Sequence, residues 1–203
     1  MVPKVKMPKK AKAGKMKGRP ITLEEFERML AKAPAVVGLE AAPSWQRFLT
    51  GLWLSGLRIA EAVRLSWDED AAVSVCLDNG APCFRFRAGG QKSGWVELVP
   101  MAPDFAQMLL AVPVADRHGR VFRLEAHSGS KSAMGVDWVS RTVSRIGEAA
   151  GVVVERSTRK GEPHTKFASA HDLRRAFSGS AGPRWSKCRS SCSLCGIRTS
   201  RPR

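Results

Sequence analysis

Among the basic residues of this chain of 203, four are candidates to act on an anionic substrate: Arg58, Lys92, His171 and Arg174. Arg58 and Arg174 have planar, permanently charged guanidinium groups, which match pairs of phosphate oxygens. A histidine ring such as that of His171 can exchange protons near neutral pH, and Lys92 can donate a proton. Each residue also has an ordinary alternative. Arg58 can be a surface arginine of a helix, Lys92 a hairpin lysine, and His171 a residue that caps or packs at a helix start. His118 and His164 match no motif, and we expect both in loops that face solvent.

Apolar residues at spacings of three and four predict the helices that position these side chains. Thr22 and Glu25 form a capping box, which predicts a helix start before the apolar face of residues 23–30. Segment 44–57 is nearly continuous in large apolar residues, as a helix central to the core requires. The helix after Gly56 carries Glu61, which we interpret as a structural residue that orients the neighbouring arginine. Further helices are predicted over 103–110, 136–150 and 172–177.

Short alternating runs predict a small antiparallel sheet between the helices. These runs cover residues 72–77, 83–87 and 95–99, and they are separated by glycine-containing turn sequences. Lys92 and Ser93 fall at the predicted hairpin turn. The predicted fold class is therefore a mainly helical α+β domain with a small antiparallel sheet.

Three of these pieces resemble motifs of the tyrosine recombinase, or phage integrase, family. The run SGLRIAEA at residues 55–62 resembles the first arginine motif of the family. The hairpin QKSG at 91–94, followed by VELVPM, resembles its lysine hairpin, and HDLRRAF at 171–177 resembles its His-x-x-Arg box. Their order and spacing are also similar to the family, and the resemblance covers roughly residues 20–178.

The resemblance implies the catalytic domain of an enzyme that cuts and rejoins DNA. In the family, a tyrosine attacks a DNA phosphodiester to form a 3′-phosphotyrosyl link, and a second strand's hydroxyl later reverses the step. The resemblance assigns Arg58 and Arg174 to the scissile phosphate, Lys92 to the departing 5′-oxygen and His171 to proton exchange. It implies no metal ion and no other cofactor. The implied partners are double-stranded DNA and further copies of the chain assembled on it.

The sequence departs from the family at the nucleophile, because none of its 203 residues is a tyrosine. Codons can be chosen for residues 187–203 so that a second reading frame, which starts at the last base of the Lys187 codon, encodes MPVVLQFVRHSDIETT. This string is similar to the next helix of the family. We therefore expect a truncated catalytic domain without its C-terminal helices, inactive in this form after a reading-frame change near Lys187. The alternative is a non-catalytic DNA-binding remnant.

The net charge of +16 is concentrated at the two ends of the chain. Residues 1–19 contain eight Lys or Arg, residues 188–203 contain four Arg, and neither segment contains an acidic residue. The remaining 22 basic and 18 acidic residues leave residues 20–187 with a charge of only +4. We predict a basic flexible arm or linker at 1–19, the truncated catalytic domain at 20–187 and an irregular tail at 188–203. The ends either hold phosphates without specificity or remain disordered.

The tail also contains three cysteines, Cys188, Cys192 and Cys195, in the spacing of an iron–sulfur motif. We expect no metal there, because such enzymes continue with most of a β/α barrel and because the tail has no histidine to complete a zinc site. No apolar run approaches the ~20 residues that cross a bilayer, and no secretory signal is present. The sequence thus predicts a cytoplasmic protein that does not enter a membrane.

Overall fold

The computed structural model describes residues 18–77, 81–87, 96–125, 134–159 and 162–180. Its helices are α1 (Leu23–Val37), α2 (Ala42–Ser55), α3 (Ile59–Arg64), α4 (Pro103–Leu110), α5 (Val136–Ala149) and α6 (Ala170–Ser180), with a 3-10 turn at Val114–Asp116. Its strands are β1 (Val73–Cys76), β2 (Cys83–Phe86), β3 (Glu97–Pro100), β4 (Val153–Arg159) and β5 (Glu162–Phe167). The predicted α+β class with small antiparallel sheets is confirmed. None of the helices in the described ranges is long and apolar enough to cross a membrane.

Helix α1 begins at the predicted capping box. The Thr22 hydroxyl accepts a hydrogen bond from the Glu25 amide at 3.2 Å, and the Glu25 carboxylate accepts one from the Thr22 amide at 2.9 Å. These two bonds satisfy amides that have no partner within a helix. The helix runs to Val37, seven residues further than the predicted apolar face, because the buried residues Ala33 and Val37 continue that face toward the core.

Helix α2 lies at the centre of the core, as predicted. Its large side chains Trp45, Phe48, Leu49 and Leu52 are almost completely buried. The helix packs against α1, α4 and α6, so its sequence is apolar on several faces. Its last residue is followed by Gly56, which has φ of 62° and ψ of 14° and ends the helix in the left-handed conformation.

The predicted sheet has the strand order β1-β2-β3, with both pairs antiparallel. Val73 pairs with Phe86, and Phe84 pairs with Val99. The apolar side chains of Val73, Phe84 and Phe86 are buried, which explains the alternating pattern in the sequence. Strand β3 is mostly exposed, and the predicted turn residues 91–94 between β2 and β3 lie outside the described residues.

A second sheet, the antiparallel hairpin β4-β5, was not predicted. Its outer part pairs Ser157 with His164 and Arg156 with Thr165. Most side chains of β5 are exposed, so there is no buried face to impose an apolar alternation on the sequence. Backbone pairing and the buried base of the hairpin at Val152 and Val154 define it instead. The placement of His164 in a loop is therefore wrong, although its side chain is exposed as expected.

The first described residues are attached to the domain. The Arg19 guanidinium donates to both Glu25 carboxylate oxygens, at 2.5 and 2.8 Å, and to the Val153 carbonyl at 2.8 Å. The hydrogen bonds from Arg19 are the largest cause that lowers the pKa of Glu25, to about 2. Arg19, which the sequence groups with the basic arm, thus connects α1 to β4.

Candidate functional site

Arg58 occupies the position immediately before α3, three residues after the end of α2. Its backbone amide donates to Glu61 Oε2 at 2.7 Å, and its guanidinium Nη1 donates to Glu61 Oε1 at 2.8 Å. The first bond caps α3 because the carboxylate returns to the amide that precedes its own helix. The Arg58 side chain remains 68% exposed, so its guanidinium is held at one edge while most of it faces solvent.

Arg174 approaches the same carboxylate from α6. Its Nη1 lies 3.8 Å from Glu61 Oε2, and its side chain is 34% exposed. Glu61 itself is only 17% exposed. The predicted contact of Glu61 with its neighbouring arginine is present, and the structure adds the second arginine. One partly buried carboxylate therefore brings Arg58 and Arg174 together.

His171 lies in the first turn of α6, and its side chain is exposed. It precedes Arg174 by three residues, so the two side chains share one side of the helix. Arg174 in turn reaches Glu61, which places His171 on the same side of the domain as the two arginines.

A capping arrangement at Ser169 and Asp172 fixes the start of α6. Asp172 Oδ2 accepts hydrogen bonds from the Ser169 hydroxyl at 2.6 Å and from the Ser169 amide at 3.1 Å. Asp172 Oδ1 accepts from Arg175 at 2.7 Å, and Lys166 of β5 lies 4.0 Å from the buried carboxylate. These contacts fix Ser169 and Asp172, which lie on either side of His171 in the chain. This role was not predicted, although the spacing Ser-x-x-Asp is a helix-start signal.

Gly56 and Phe177 determine how closely α2 and α6 approach each other. A Cβ atom on Gly56 would lie only 2.2 Å from Phe177 Cδ1 and 2.7 Å from Cε1. No ordinary side chain fits at that distance, so the glycine is required both for its positive φ and for this contact. Gly56 precedes Arg58 by two residues, and Phe177 follows Arg174 by three. The contact therefore sets the relative position of the two arginines.

Several predicted residues fall outside this arrangement. Lys92, the proposed proton donor, lies outside the described residues, as do Cys188, Cys192 and Cys195. His118 is exposed in a loop, where its Nδ1 lies 3.2 Å from the Ala115 carbonyl. In the described ranges, no group of three His, Cys, Asp or Glu residues is placed to hold a metal ion.

Two solved structures of recombinases are similar to this chain. The catalytic core of lambda integrase is 16% identical, with a TM-score of 0.52, over 92% of this chain and 96% of that core. The XerA recombinase is 15% identical, with a TM-score of 0.46, over 86% of this chain, which spans about half (52%) of the length of XerA. No protein-family model and no curated protein sequence matches the chain. The described residues thus have the fold of the lambda integrase catalytic core.

Proposed function

We propose that this chain belongs with the DNA-recombining enzymes of the tyrosine recombinase family and binds a DNA phosphodiester between Arg58 and Arg174. The observation that carries the proposal is the position of Glu61, whose carboxylate contacts both guanidinium groups. The fold shared with the lambda integrase catalytic core and the resemblance of the three motifs support the same conclusion.

The charges and exposure of this cluster fit a phosphodiester. Two guanidinium groups and one carboxylate carry a combined charge of +1, which one phosphodiester anion neutralises. Each guanidinium has five N–H donors. Arg58 gives one of them to Glu61, and Arg174 lies 3.8 Å from the carboxylate, so donors remain for phosphate oxygens. The pairing with Glu61 also restricts both side chains before DNA arrives, which lowers the entropy that binding must overcome.

The proposed roles of the other residues follow from the family resemblance. His171 exchanges a proton near the phosphate, and Lys92 protonates the departing 5′-oxygen. The two arginines stabilise the negative charge that grows on the non-bridging oxygens during attack. None of these side chains replaces the phenol that forms the phosphotyrosyl link.

The composition favours a restricted version of this function. Because the 203 residues include no tyrosine, we propose that they bind DNA without cutting it. This is the second candidate function, a non-catalytic DNA-binding remnant that retains the arginine pair. Assembly of several copies on DNA remains part of the proposal through the family resemblance alone.

Fluorescence anisotropy with a labelled duplex tests the binding part. We expect Arg58→Gln and Arg174→Gln each to weaken binding about 10- to 100-fold, since a hydrogen bond to a charged group contributes roughly 1.5–3 kcal/mol. Each variant should also reduce the slope of log K against log salt by about one. Arg28→Gln on α1 removes the same charge from an exposed side chain and serves as the control. Equal effects of all three variants would show that only net charge matters and would refute the phosphate site.

A nicked suicide substrate tests the catalytic part. We expect no covalent protein–DNA adduct on denaturing gels from the 203-residue chain, and an adduct from a frame-restored version that regains a downstream tyrosine. An adduct formed by the 203-residue chain and abolished by Arg58→Ala would mean that another side chain acts as the nucleophile.

A further inference from the structure

A second group of arginines lines a cleft of about 370 Å³ between α2, Trp67 and the segment 111–123. Arg47, Arg120 and Arg123 line this cleft together with Trp67, and Asp116 is the acidic residue among its lining residues. We call it the arginine cleft. Its cationic residues are not part of the Arg58 and Arg174 site.

The segment that carries most of these arginines is held firmly in place. The Gly119 amide donates to Asp68 Oδ1 at 3.0 Å, and the Gly119 carbonyl accepts from the Ser66 hydroxyl at 2.7 Å and from the Trp67 amide at 2.9 Å. The hydrogen bond from Gly119 is the largest cause that lowers the pKa of Asp68, so this carboxylate stays charged at neutral pH. The loop is therefore fixed before any ligand binds.

The guanidinium groups are oriented by backbone carbonyls. Arg120 Nη1 donates to the Val63 carbonyl at 2.8 Å, and Arg123 Nη2 donates to the His118 carbonyl at 2.7 Å. A carbonyl oxygen restrains a guanidinium without cancelling its charge. Arg47 is exposed on α2, and its side chain forms no hydrogen bond with another residue in the described ranges.

A fourth arginine lies against the aromatic residue of the cleft. The Arg117 guanidinium carbon is 5.7 Å from the centre of the Trp67 ring, which is the geometry of a cation–π contact. Its Nε and Nη2 donate to the carbonyls of Val112 and Leu110 at 2.9 and 3.0 Å. Arg117 thus adds positive charge beside the cleft while it is held rigidly.

The charge of these arginines is not neutralised within the domain. Among the described residues, no Asp or Glu forms an ion pair with Arg47, Arg117, Arg120 or Arg123. By contrast, a carboxylate partner is present for each of Arg19, Arg28, Arg58, Arg85, Arg174 and Arg175. Arg117, Arg120 and Arg123 are oriented by carbonyls, and Arg47 is free to reach a ligand. Guanidinium groups without a carboxylate partner favour an anion with several oxygens.

We infer that the arginine cleft binds a phosphate group, either a backbone phosphate of the DNA duplex or that of a free phosphate compound. The DNA source is favoured, and this part of the inference rests on the proposed function. Arg47 of the cleft lies on α2, and Arg58 follows the end of that helix by three residues. At 1.5 Å per residue, Arg47 is about 12 Å along the helix axis from Ser55, the last residue of α2. Duplex DNA carries one charge per about 1.7 Å of its axis, so one duplex offers phosphates to both sites.

The experiment uses the full 203-residue chain, the variants Arg47→Gln and Arg120→Gln, and the control Arg28→Gln. The two probes are inorganic triphosphate, measured by calorimetry, and a labelled duplex, measured by anisotropy at several salt concentrations. Arg47→Gln removes no side-chain hydrogen bond among the described residues, and circular dichroism should show that this variant folds like the wild type. We expect each cleft variant to reduce the salt slope for DNA by about one, and Arg28→Gln to leave it closer to that of the wild type.

The outcomes separate this inference from the proposed function. DNA binding that depends on Arg58 but not on Arg47 or Arg120, together with triphosphate binding that is unchanged in both cleft variants, would overturn the cleft inference. The proposed function would stand. If DNA does not bind but triphosphate does, with affinity lost on the order of tenfold in both cleft variants, the cleft holds a free phosphate compound and the proposed function fails. If neither probe binds, the inference is overturned.

Discussion

Replacement of Gly56 by alanine tests how the arginine pair is positioned. An alanine at this position must adopt φ of 62°, which costs about 1–2 kcal/mol for a residue other than glycine. Its Cβ would also lie 2.2 Å from the Phe177 ring, and overpacking of this kind costs about 1–3 kcal/mol. We therefore expect Gly56→Ala to lower the free energy of unfolding by roughly 2–5 kcal/mol in urea titrations followed by circular dichroism. Because α6 must shift away, binding of duplex DNA should weaken as well.

The matched control is Gly151→Ala. Gly151 has nearly the same φ, 64°, but a Cβ there would have no atom within 4 Å. This variant should lose only the conformational contribution of about 1–2 kcal/mol and should bind DNA like the wild type. In a Phe177→Leu background, the cost of Gly56→Ala should fall toward that of the control, since a smaller side chain relieves the clash. Equal costs at Gly56 and Gly151 in the wild-type background would refute the argument that the Phe177 contact positions α6.

Three further predictions concern the start of the domain and the two ends of the chain. Glu25→Gln should destabilise the protein by about 1–2 kcal/mol at pH 7, a discounted value because Arg19 is 42% exposed. Since the pKa of Glu25 is lowered from 4.5 to about 2, its contribution is present above pH 4.5 and disappears as the pH falls toward 2. Urea titrations of the wild type and of Glu25→Gln across this pH range check the prediction. A difference between their free energies of unfolding that persists at pH 2 would contradict it. Deletion of residues 1–17 should flatten the salt dependence of DNA binding, measured by anisotropy, because that segment carries seven lysines and no acid. An unchanged slope would show that the arm does not contact DNA. Metal analysis after anaerobic purification should find no stoichiometric zinc or iron, and a bound metal lost in Cys192→Ser and Cys195→Ser would overturn the frame-change explanation of the tail.

Local physical chemistry explains why much of the fold could be predicted. The capping box at Thr22 needs only residues three positions apart, and the bounds of α4 follow from apolar side chains within two turns. The strands of the first sheet bury one face, so alternation appears in their sequence. The hairpin β4-β5 buries little of its outer part and left no such pattern.

The sequence by itself determined the chemical types at the candidate site, the helices that carry them and the lack of a tyrosine. Only the tertiary structure decided which of these residues meet. Glu61 contacts Arg174 because α6 packs against α2, the helix that ends three residues before Arg58, and no local spacing encodes a contact between residues so far apart in the chain. The same holds for Arg19 with Val153 and for Arg120 with Val63. Helix caps and apolar periods depend on neighbours within a few residues, whereas ion pairs between distant residues depend on the packing of the whole domain.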